Sequence, residues 1–402
     1  MRLRLLAAIF LGLLALAFAA GWLWWVLRPP APGPLRLTKV SFTELPGWEK
    51  SDPRAAHSAL KRSCAVPTAQ PRGGEGYAGA ASDWQATCRA TLEPAPNAVA
   101  ARAFFERWFT PVLVSAGNAK DGLFTGYYEP ELHASRTRHG SFQTAVYGTP
   151  DDLVSVDLGA FRPNLRGEKI FGRLKDRSLV PYATRAEIDE KGLPGARILF
   201  YADDPIAVFF LHIQGSGRVQ FEDGALERVS YAAQNGREYT AIGRTLIGRG
   251  ALKRENVSLQ SIRAWLKANP AAAHQVMETN ASYVFFKEEP VGDPNLGAKG
   301  AEGVMLTPGA SMAVDLRLHA LGVPFFVSTR LPDGTPLRAL FVAQDTGGAI
   351  RGPVRGDLFF GFGKGSEALA GQMRQPGRLY ALLPNDVAAR LAATTDFPAQ
   401  TP

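Results

Sequence analysis

Strand-like runs of apolar residues dominate two long stretches of the chain. The first set lies at Val154–Leu158, Ile198–Tyr201, Ala207–Ile213 and Arg218–Phe221, separated by Gly, Pro and Asp turns. From Tyr283 onward strands prevail again, at Met312–Asp315, Val323–Ser328, Leu337–Val342, Leu358–Phe360 and Arg378–Leu383. Helical spacing is confined to a few places. Asn97 is placed to cap a helix through Phe109, with Phe104, Phe105, Trp108 and Phe109 on or near one face and Pro111 helping to end it. Tyr239–Ile247 reads as helical, with Gly248 and Gly250 as stop signals. Ser258 is placed to cap a helix through Ala268, ended by Asn269-Pro270. The pattern predicts an α+β chain, mostly β, with a β-rich middle module and a β-rich carboxyl module. Thr394 to Pro402 reads as a frayed tail.

The amino terminus breaks this pattern. After Met1-Arg2-Leu3-Arg4 comes an uncharged, largely apolar run from Leu5 to Leu27, then Arg28-Pro29-Pro30. The run exceeds the ~20 residues a helix needs to cross a bilayer. Trp22, Trp24 and Trp25 cluster at its far end, as at a membrane interface. Residues 1–28 are read as a membrane anchor with its amino end in the cytoplasm; the alternative is a signal peptide cleaved near Ala19. Both readings export the rest of the chain. Residues 29–50 read as a Pro-rich tether, stiffest around Pro29-Pro30-Ala31-Pro32. Cys64 and Cys88 are the only cysteines. In an exported chain such a pair is most simply a disulfide; the alternative is two buried thiols. No Cys precedes residue 64, so lipid attachment at the leader is not supported.

Composition narrows the partners. The 402 residues suggest two domains or one elaborate one. An apolar content of 46% allows a sizeable core. The net charge of +8 favours an anionic partner. Its Lys and Arg residues are scattered and no nucleic-acid module is recognisable, so nucleic acid is not expected. The His residues show no HExxH or other metal-ligand spacing, and neither metal nor cofactor is implied.

The candidate chemistry lies near the carboxyl end. Gln344-Asp345-Thr346-Gly347-Gly348-Ala349-Ile350-Arg351-Gly352 is followed by Asp357-Leu358-Phe359-Phe360-Gly361, so two carboxylates flank a glycine-dense turn. Asp315 lies upstream in the apolar run Met312-Ala313-Val314-Asp315. Glycine admits close backbone approach. A carboxyl group among apolar residues can serve as an acid near neutral pH.

These residues resemble the three-aspartate (3D) domain of the membrane-bound lytic murein transglycosylase A family. Upstream, Gly122-Leu123-Phe124-Thr125-Gly126-Tyr127-Tyr128-Glu129-Pro130 is similar to that family's opening motif. His212-Ile213-Gln214-Gly215-Ser216-Gly217 and Tyr231-Ala232-Ala233-Gln234-Asn235-Gly236 are similar to its middle motifs, and Asn280-Ala281-Ser282-Tyr283-Val284-Phe285-Phe286 to a further one. The motifs occur in the family's order.

The resemblance implies a double-psi β-barrel domain (51–134 and 237–390, the 3D region at about 304–385), a smaller β-domain inserted at 135–236, a groove between them and a tail from 391. It implies cleavage of the β-1,4 bond between N-acetylmuramic acid and N-acetylglucosamine, with a 1,6-anhydro ring formed in place of hydrolysis. It makes Asp357 the catalytic acid/base, with Asp345 raising the Asp357 pKa by like charge. Asp315, Gln214, Thr125, Tyr127, Glu129, Gly347 and Gly348 become substrate-groove candidates, although Asp315 and Asp345 also fit as structural turn aspartates. The implied location is the periplasmic face of the inner membrane; partners in cell-wall synthesis or division stay unspecified.

Rival readings are weaker. Asp345-Thr346-Gly347 matches the short aspartic-protease signature, but that chemistry needs a second copy, and only one occurs. Gly361-Phe362-Gly363-Lys364-Gly365-Ser366 fails the spacing of nucleotide-binding loops. A non-catalytic glycan-binding module and a wall-tethered scaffold are the alternatives to an enzyme.

Overall fold

The computed structural model of the protein describes residues 33–66, 76–162, 165 and 168–397. The chain begins with β1 (Leu35–Lys39), α1 (Arg54–Cys64), α2 (Ala81–Ala90), α3 (Ala98–Trp108), β2 (Phe109–Ala116) and β3 (Gly122–Glu129). A middle stretch supplies β4 (Glu131–Ser135), β5 (Thr144–Tyr147), β6 (Val154–Asp157), β7 (Lys169–Lys175), β8 (Ser178–Val180), α4 (Arg185–Lys191), β9 (Ile198–Ala202), α5 (Pro205–Gln214), β10 (Ser216–Phe221) and β11 (Leu226–Gln234). Next come α6 (Ile242–Gly248), α7 (Leu259–Ala268), α8 (Pro270–Glu278) and β12 (Val284–Pro290). The carboxyl part holds β13 (Ser311–Ala313), β14 (Pro324–Arg330), β15 (Pro336–Asp345), β16 (Arg355–Phe362), α9 (Gly363–Gln372), β17 (Arg374–Pro384), α10 (Asn385–Arg390) and β18 (Thr394–Asp396). The described residues thus form a mostly-β fold with ten helices.

The largest sheet runs β14-β15-β13-β16-β3-β17-β2-β1-β18, and β14 also pairs with β17. Six strands, β14, β15, β13, β16, β3 and β17, therefore close a ring and lose their free edges. Its β13–β15 and β16–β3 pairs are parallel. Parallel neighbours need long connections, and here β3 comes from the amino part while β16 comes from the carboxyl part. Phe124, Phe325, Phe326, Phe341, Leu358 and Leu382 are buried in the principal core. The β14–β15 hairpin turns at Pro332-Asp333-Gly334, where Asp333 accepts from the Thr335 amide.

A second sheet has the order β12-β11-β10-β4-β9-β5, and a third the order β6-β7-β8. The second sheet extends beyond the expected 135–236 segment. It starts at Glu131 and ends at Pro290, because β12 pairs with β11 from Gln234↔Val284 to Glu227↔Pro290.

Several expected elements differ. Ala207–Ile213 belongs to helix α5, not to a strand. Asp204 caps it by accepting from the amides of Ile206 and Ala207, Pro205 opens it, and Gly215 closes it in the left-handed region (φ 79°). Its apolar residues face two cores, with Val208 and Leu211 in one and Ile206, Phe209 and Phe210 in the other. A helix buried on all sides shows no amphipathic stripe. The Asn97-capped helix stops at Trp108, and Phe109 and Pro111 already belong to β2. The helix expected at Tyr239 begins at Ile242. Pro270 opens a further helix, α8, besides ending α7.

Both ends of the described chain are more ordered than expected. The supposed tether is strand from Leu35, with Leu35 and Leu37 each 1% exposed. The supposed frayed tail pairs with it through β18, where Asp396 accepts from Arg36 Nε at 2.6 Å. Burial of Leu35 and Leu37 drives this closure. The apolar run at 5–27 lies outside the described residues, and among those described no helix is long and apolar enough to cross a membrane.

Cys64 and Cys88 form a disulfide, with Cα atoms 5.3 Å apart, that ties the end of α1 to α2. Closing a loop of this length is worth about 3 kcal/mol in the chain-entropy account. The Cys64→Ser/Cys88→Ser variant is therefore expected to lose about 3 kcal/mol in urea unfolding. An unchanged midpoint would show that the packing of α1 and α2 alone holds this corner.

Candidate active site

Strand register builds the site. Asp345 on β15 stands opposite Ala313 on β13, Ala313 opposite Asp357 on β16, and Asp357 opposite Thr125 on β3. One row across the ring thus carries both carboxylates, their backbones two strand spacings or ~10 Å apart. Side chains two residues apart share a face of a strand. Thr125 and Tyr127 on β3 therefore line up with Asp357 and Phe359 on β16.

Asp357 is half-buried, and its Oδ1 accepts a hydrogen bond from the Thr125 hydroxyl. Burial pushes its carboxyl up, against the opposing effects of the Thr125 hydrogen bond and the Arg355 charge. Asp345 is held more tightly. Its Oδ1 accepts from the amides of Ala301 and Thr346 at 3.0 and 2.9 Å, and its Oδ2 accepts from the Tyr127 hydroxyl at 3.0 Å. Burial and the Asp357 charge push Asp345 up, while these hydrogen bonds pull it down. The expectation that Asp345 raises Asp357 is thus revised, because for Asp357 the main cause is burial. The Tyr127 ring packs on Phe359 with centroids 5.1 Å apart. Its own burial, and then the charges of Asp345 and Asp357, push the Tyr127 phenol up and keep it protonated.

For Asp315 the structure favours the turn-aspartate reading over the groove. Asp315 is fully buried and accepts two hydrogen bonds from Arg317, at 3.0 and 2.8 Å. It also accepts one from the Gly352 amide at 2.8 Å. Burial pushes its carboxyl up, but Arg317, through its side chain and its amide, and the Gly352 amide outweigh it and hold it low. Asp315 therefore anchors the glycine-rich loop and offers no free face to a ligand. Gly352 takes φ 112°, which favours glycine, whereas neither Gly347 nor Gly348 adopts positive φ. Gly348 is exposed, with open space where a Cβ would stand. His319 braces the same loop, bonding to Tyr77 and to the Pro353 carbonyl, and burial pushes it down to about 4.

Glu129 likewise leaves the list of groove candidates. It is 0% exposed, and its carboxylate accepts from Arg228 Nε at 2.6 Å and Arg218 Nε at 3.3 Å. The same arginines donate to the carbonyls of Val291, Pro294 and Leu296. Glu129 thus ties the chain leaving the ring to the chain returning to it. Gln214, at the end of α5, accepts from the Tyr128 amide at 3.1 Å and is half-buried. Of the expected residues, Thr125, Tyr127, Asp345 and Asp357 form one connected cluster. Arg355 joins it, donating to Thr125 Oγ1 at 2.8 Å. It was legible only as the residue two before Asp357 on the same strand face.

A half-buried carboxyl with one donor, beside a second carboxylate with three, suits acid/base chemistry on a neutral polar substrate. No group of His, Cys, Asp and Glu that could hold a metal ion occurs among the described residues.

Comparison with known proteins places this geometry. The family model of the MltA-specific insert domain matches residues 123–287, and that of the 3D domain matches residues 310–383. Membrane-bound lytic murein transglycosylase A of Escherichia coli K12 is 34% identical over 278 residues, covering 67% of this chain and 68% of that protein. The crystal structure of a membrane-bound lytic murein transglycosylase from Agrobacterium tumefaciens is 34% identical, with a TM-score of 0.78, covering 88% of this chain and 99% of that one. E. coli MltA crystallised with bound chitohexaose is 26% identical, with a TM-score of 0.62, covering 89% and 92%. The chain therefore belongs to the membrane-bound lytic murein transglycosylase A family.

Proposed function

We propose that this protein is a peptidoglycan lytic transglycosylase with Asp357 as its acid and base. The observation that carries the reading is the unequal hydrogen bonding of the two carboxylates. Donors favour the ionised form. Asp345 accepts three and Asp357 one, so the shared preference for a proton falls on Asp357. Protonated Asp357 gives its proton to the glycosidic oxygen as the C1–O bond breaks. The resulting carboxylate takes the proton of the C6 hydroxyl of N-acetylmuramic acid as that oxygen bonds to C1. The 1,6-anhydro ring closes, and no water is consumed. Intramolecular attack gains from proximity. Asp345 stays ionised and stabilises the positive charge that develops at C1.

The chitohexaose-bound relative supports a glycan in the groove. Thr125, Tyr127, Gln214, Gly347 and Gly348 are its proposed contacts. The closed ring of six strands supports a double-psi β-barrel. Sheet pairing supports an inserted module from about Glu131 to Pro290. The apolar run at 5–27 supports anchoring in the inner membrane with the enzyme on the periplasmic face.

The test is release of soluble fragments from purified peptidoglycan. The protein is expected to release them, and Asp357→Asn is expected to bind the same material without release. Binding without release by the unaltered protein would instead support a binding module or scaffold. Tyr127→Phe is expected to slow release about tenfold, a loss of ~1.4 kcal/mol, with little change in melting temperature. An unchanged rate would mean that the Tyr127–Asp345 bond serves packing alone.

A further inference from the structure

We propose that Arg355 is a positioning residue that fixes which oxygen of Asp357 carries the transferable proton. The inference rests on the lytic transglycosylase reading and deepens it. Arg355 lies two residues before Asp357 on β16, on the same face. Its Nη1 donates to the Gly356 carbonyl at 2.6 Å and to the Leu123 carbonyl at 3.3 Å. Its Nη2 donates to Thr125 Oγ1 at 2.8 Å. The planar guanidinium is thus held by β3 and β16 together.

A guanidinium only donates, and a threonine hydroxyl has one proton. Because Thr125 Oγ1 accepts from Arg355, its own proton is directed to Asp357 Oδ1. An oxygen that accepts this bond is the poorer site for the acid proton, which therefore resides on Oδ2. In the cleavage step the Oδ2–H bond breaks, the proton moves to the glycosidic oxygen, and the C1–O electron pair leaves with that oxygen. Oδ2 then receives the proton of the C6 hydroxyl as its oxygen bonds to C1. Without Arg355, the Thr125 hydroxyl is free to turn and accept from a protonated Oδ1. The acid then divides between two protonation isomers, of which one is productive.

The charge of Arg355 also favours ionised Asp357. Around this group stand Tyr127 from β3, Asp345 from β15 and Arg374 from β17, the last opposite Thr125. Strand β13 (Ser311–Ala313) brings no titratable side chain. From α9, Lys364 is exposed and Glu367 is paired with Arg263.

The experiment measures kcat and KM against pH for Arg355→Met, Thr125→Val, the double variant and Arg355→Lys. Arg355→Met is expected to lower kcat about tenfold while KM changes less than about twofold. The alkaline limb of its kcat profile is expected to move to higher pH, because the acid loses a nearby cation. The double variant is expected to be no slower than Thr125→Val alone, since Arg355 acts through Thr125. Arg355→Lys is expected to restore the alkaline limb but not the full kcat, as it keeps the charge and loses the fork. An unmoved limb, or single effects that multiply in the double variant, overturns the proposal. If Arg355→Met does not fold, Arg355→Lys decides: wild-type kcat in that variant overturns it equally. These outcomes presuppose anhydro products from the unaltered protein, whose absence would defeat the underlying reading instead.

Discussion

Asp357→Asn is expected to cut peptidoglycan turnover about a thousandfold, within the range for loss of a positioned general acid. The same residue must both give and take the proton, so no second group rescues the step. Asparagine keeps the shape and still accepts from Thr125, which sits opposite on β3. Stability moves the other way. The Asp357 carboxyl is raised in the folded state, mainly by burial. A raised group contributes stability that is present below its unfolded value and lost as pH rises through the folded value. The ionised form of Asp357 is therefore a cost to the fold, and Asp357→Asn is expected to melt no lower than the unaltered protein. Release of fragments at more than about a tenth of the normal rate would remove Asp357 from the central role. A lower melting temperature would show that its charge supports the fold.

The largest effect on stability is expected from Glu129→Gln. Burial leaves the Glu129 carboxyl raised overall, and Arg228 and Arg218 pull it back only in part; its charge follows from the ion pairs to both guanidiniums, at 2.6 and 3.3 Å. Arg228 is 1% exposed and Arg218 5%, so the ionised carboxylate is the counter-charge to two buried guanidiniums. Removing one partner of a buried ion pair typically costs about 3–5 kcal/mol. Here the loss falls where Glu129 leaves the ring and where Val291 to Leu296 return to it. Urea unfolding is expected to show a loss of that size, with activity falling in step. A loss below about 1 kcal/mol, the size of an exposed pair, would mean that the carbonyl contacts of both arginines suffice.

Asp315 contributes with the opposite pH sign to Asp357. Its folded value is depressed by Arg317 and the Gly352 amide. That contribution is present above the unfolded carboxylate range and is lost as pH falls through the depressed value. Acidification is thus expected to loosen the glycine-rich loop first, read as early loss of activity before global unfolding.

Much of the ring was legible in the sequence. Val323–Ser328 and Leu337–Val342 are apolar runs bounded by Pro332-Asp333-Gly334, and they form the β14–β15 hairpin. Ser258 and Asn97 announced their helices through side chains that do accept from the backbone amides of Ser261 and Ala100. Helix α5 was misread because a continuous apolar run looks alike in a buried strand and a buried helix. Its boundary residues, Asp204-Pro205 and Gly215, carried the correct signal. The ends were misread because the short Leu35–Lys39 and Thr394–Asp396 strands have no local signature; each pairs with partners far along the chain.

The site was legible in part. Residue type and spacing singled out Asp345 and Asp357, and the family resemblance added Thr125 and Tyr127; register then sets Asp345, Asp357 and Thr125 in one row, with Tyr127 two residues along β3. The role of Glu129 was not readable, since the arginines that bind it lie 89 and 99 residues away along the chain, whereas the partner of Asp315 is Arg317, two residues on, as befits a turn aspartate. A carboxylate facing substrate and one buried against a guanidinium look the same in sequence.

The most direct test is the mass of the glycan fragments released from purified peptidoglycan in water enriched in oxygen-18. Products ending in 1,6-anhydro-N-acetylmuramic acid, lighter by one water than the hydrolytic product and free of label, are predicted, with none from Asp357→Asn. Labelled reducing ends would contradict the account, because they require a water-activating group where Asp357 alone is assigned the chemistry.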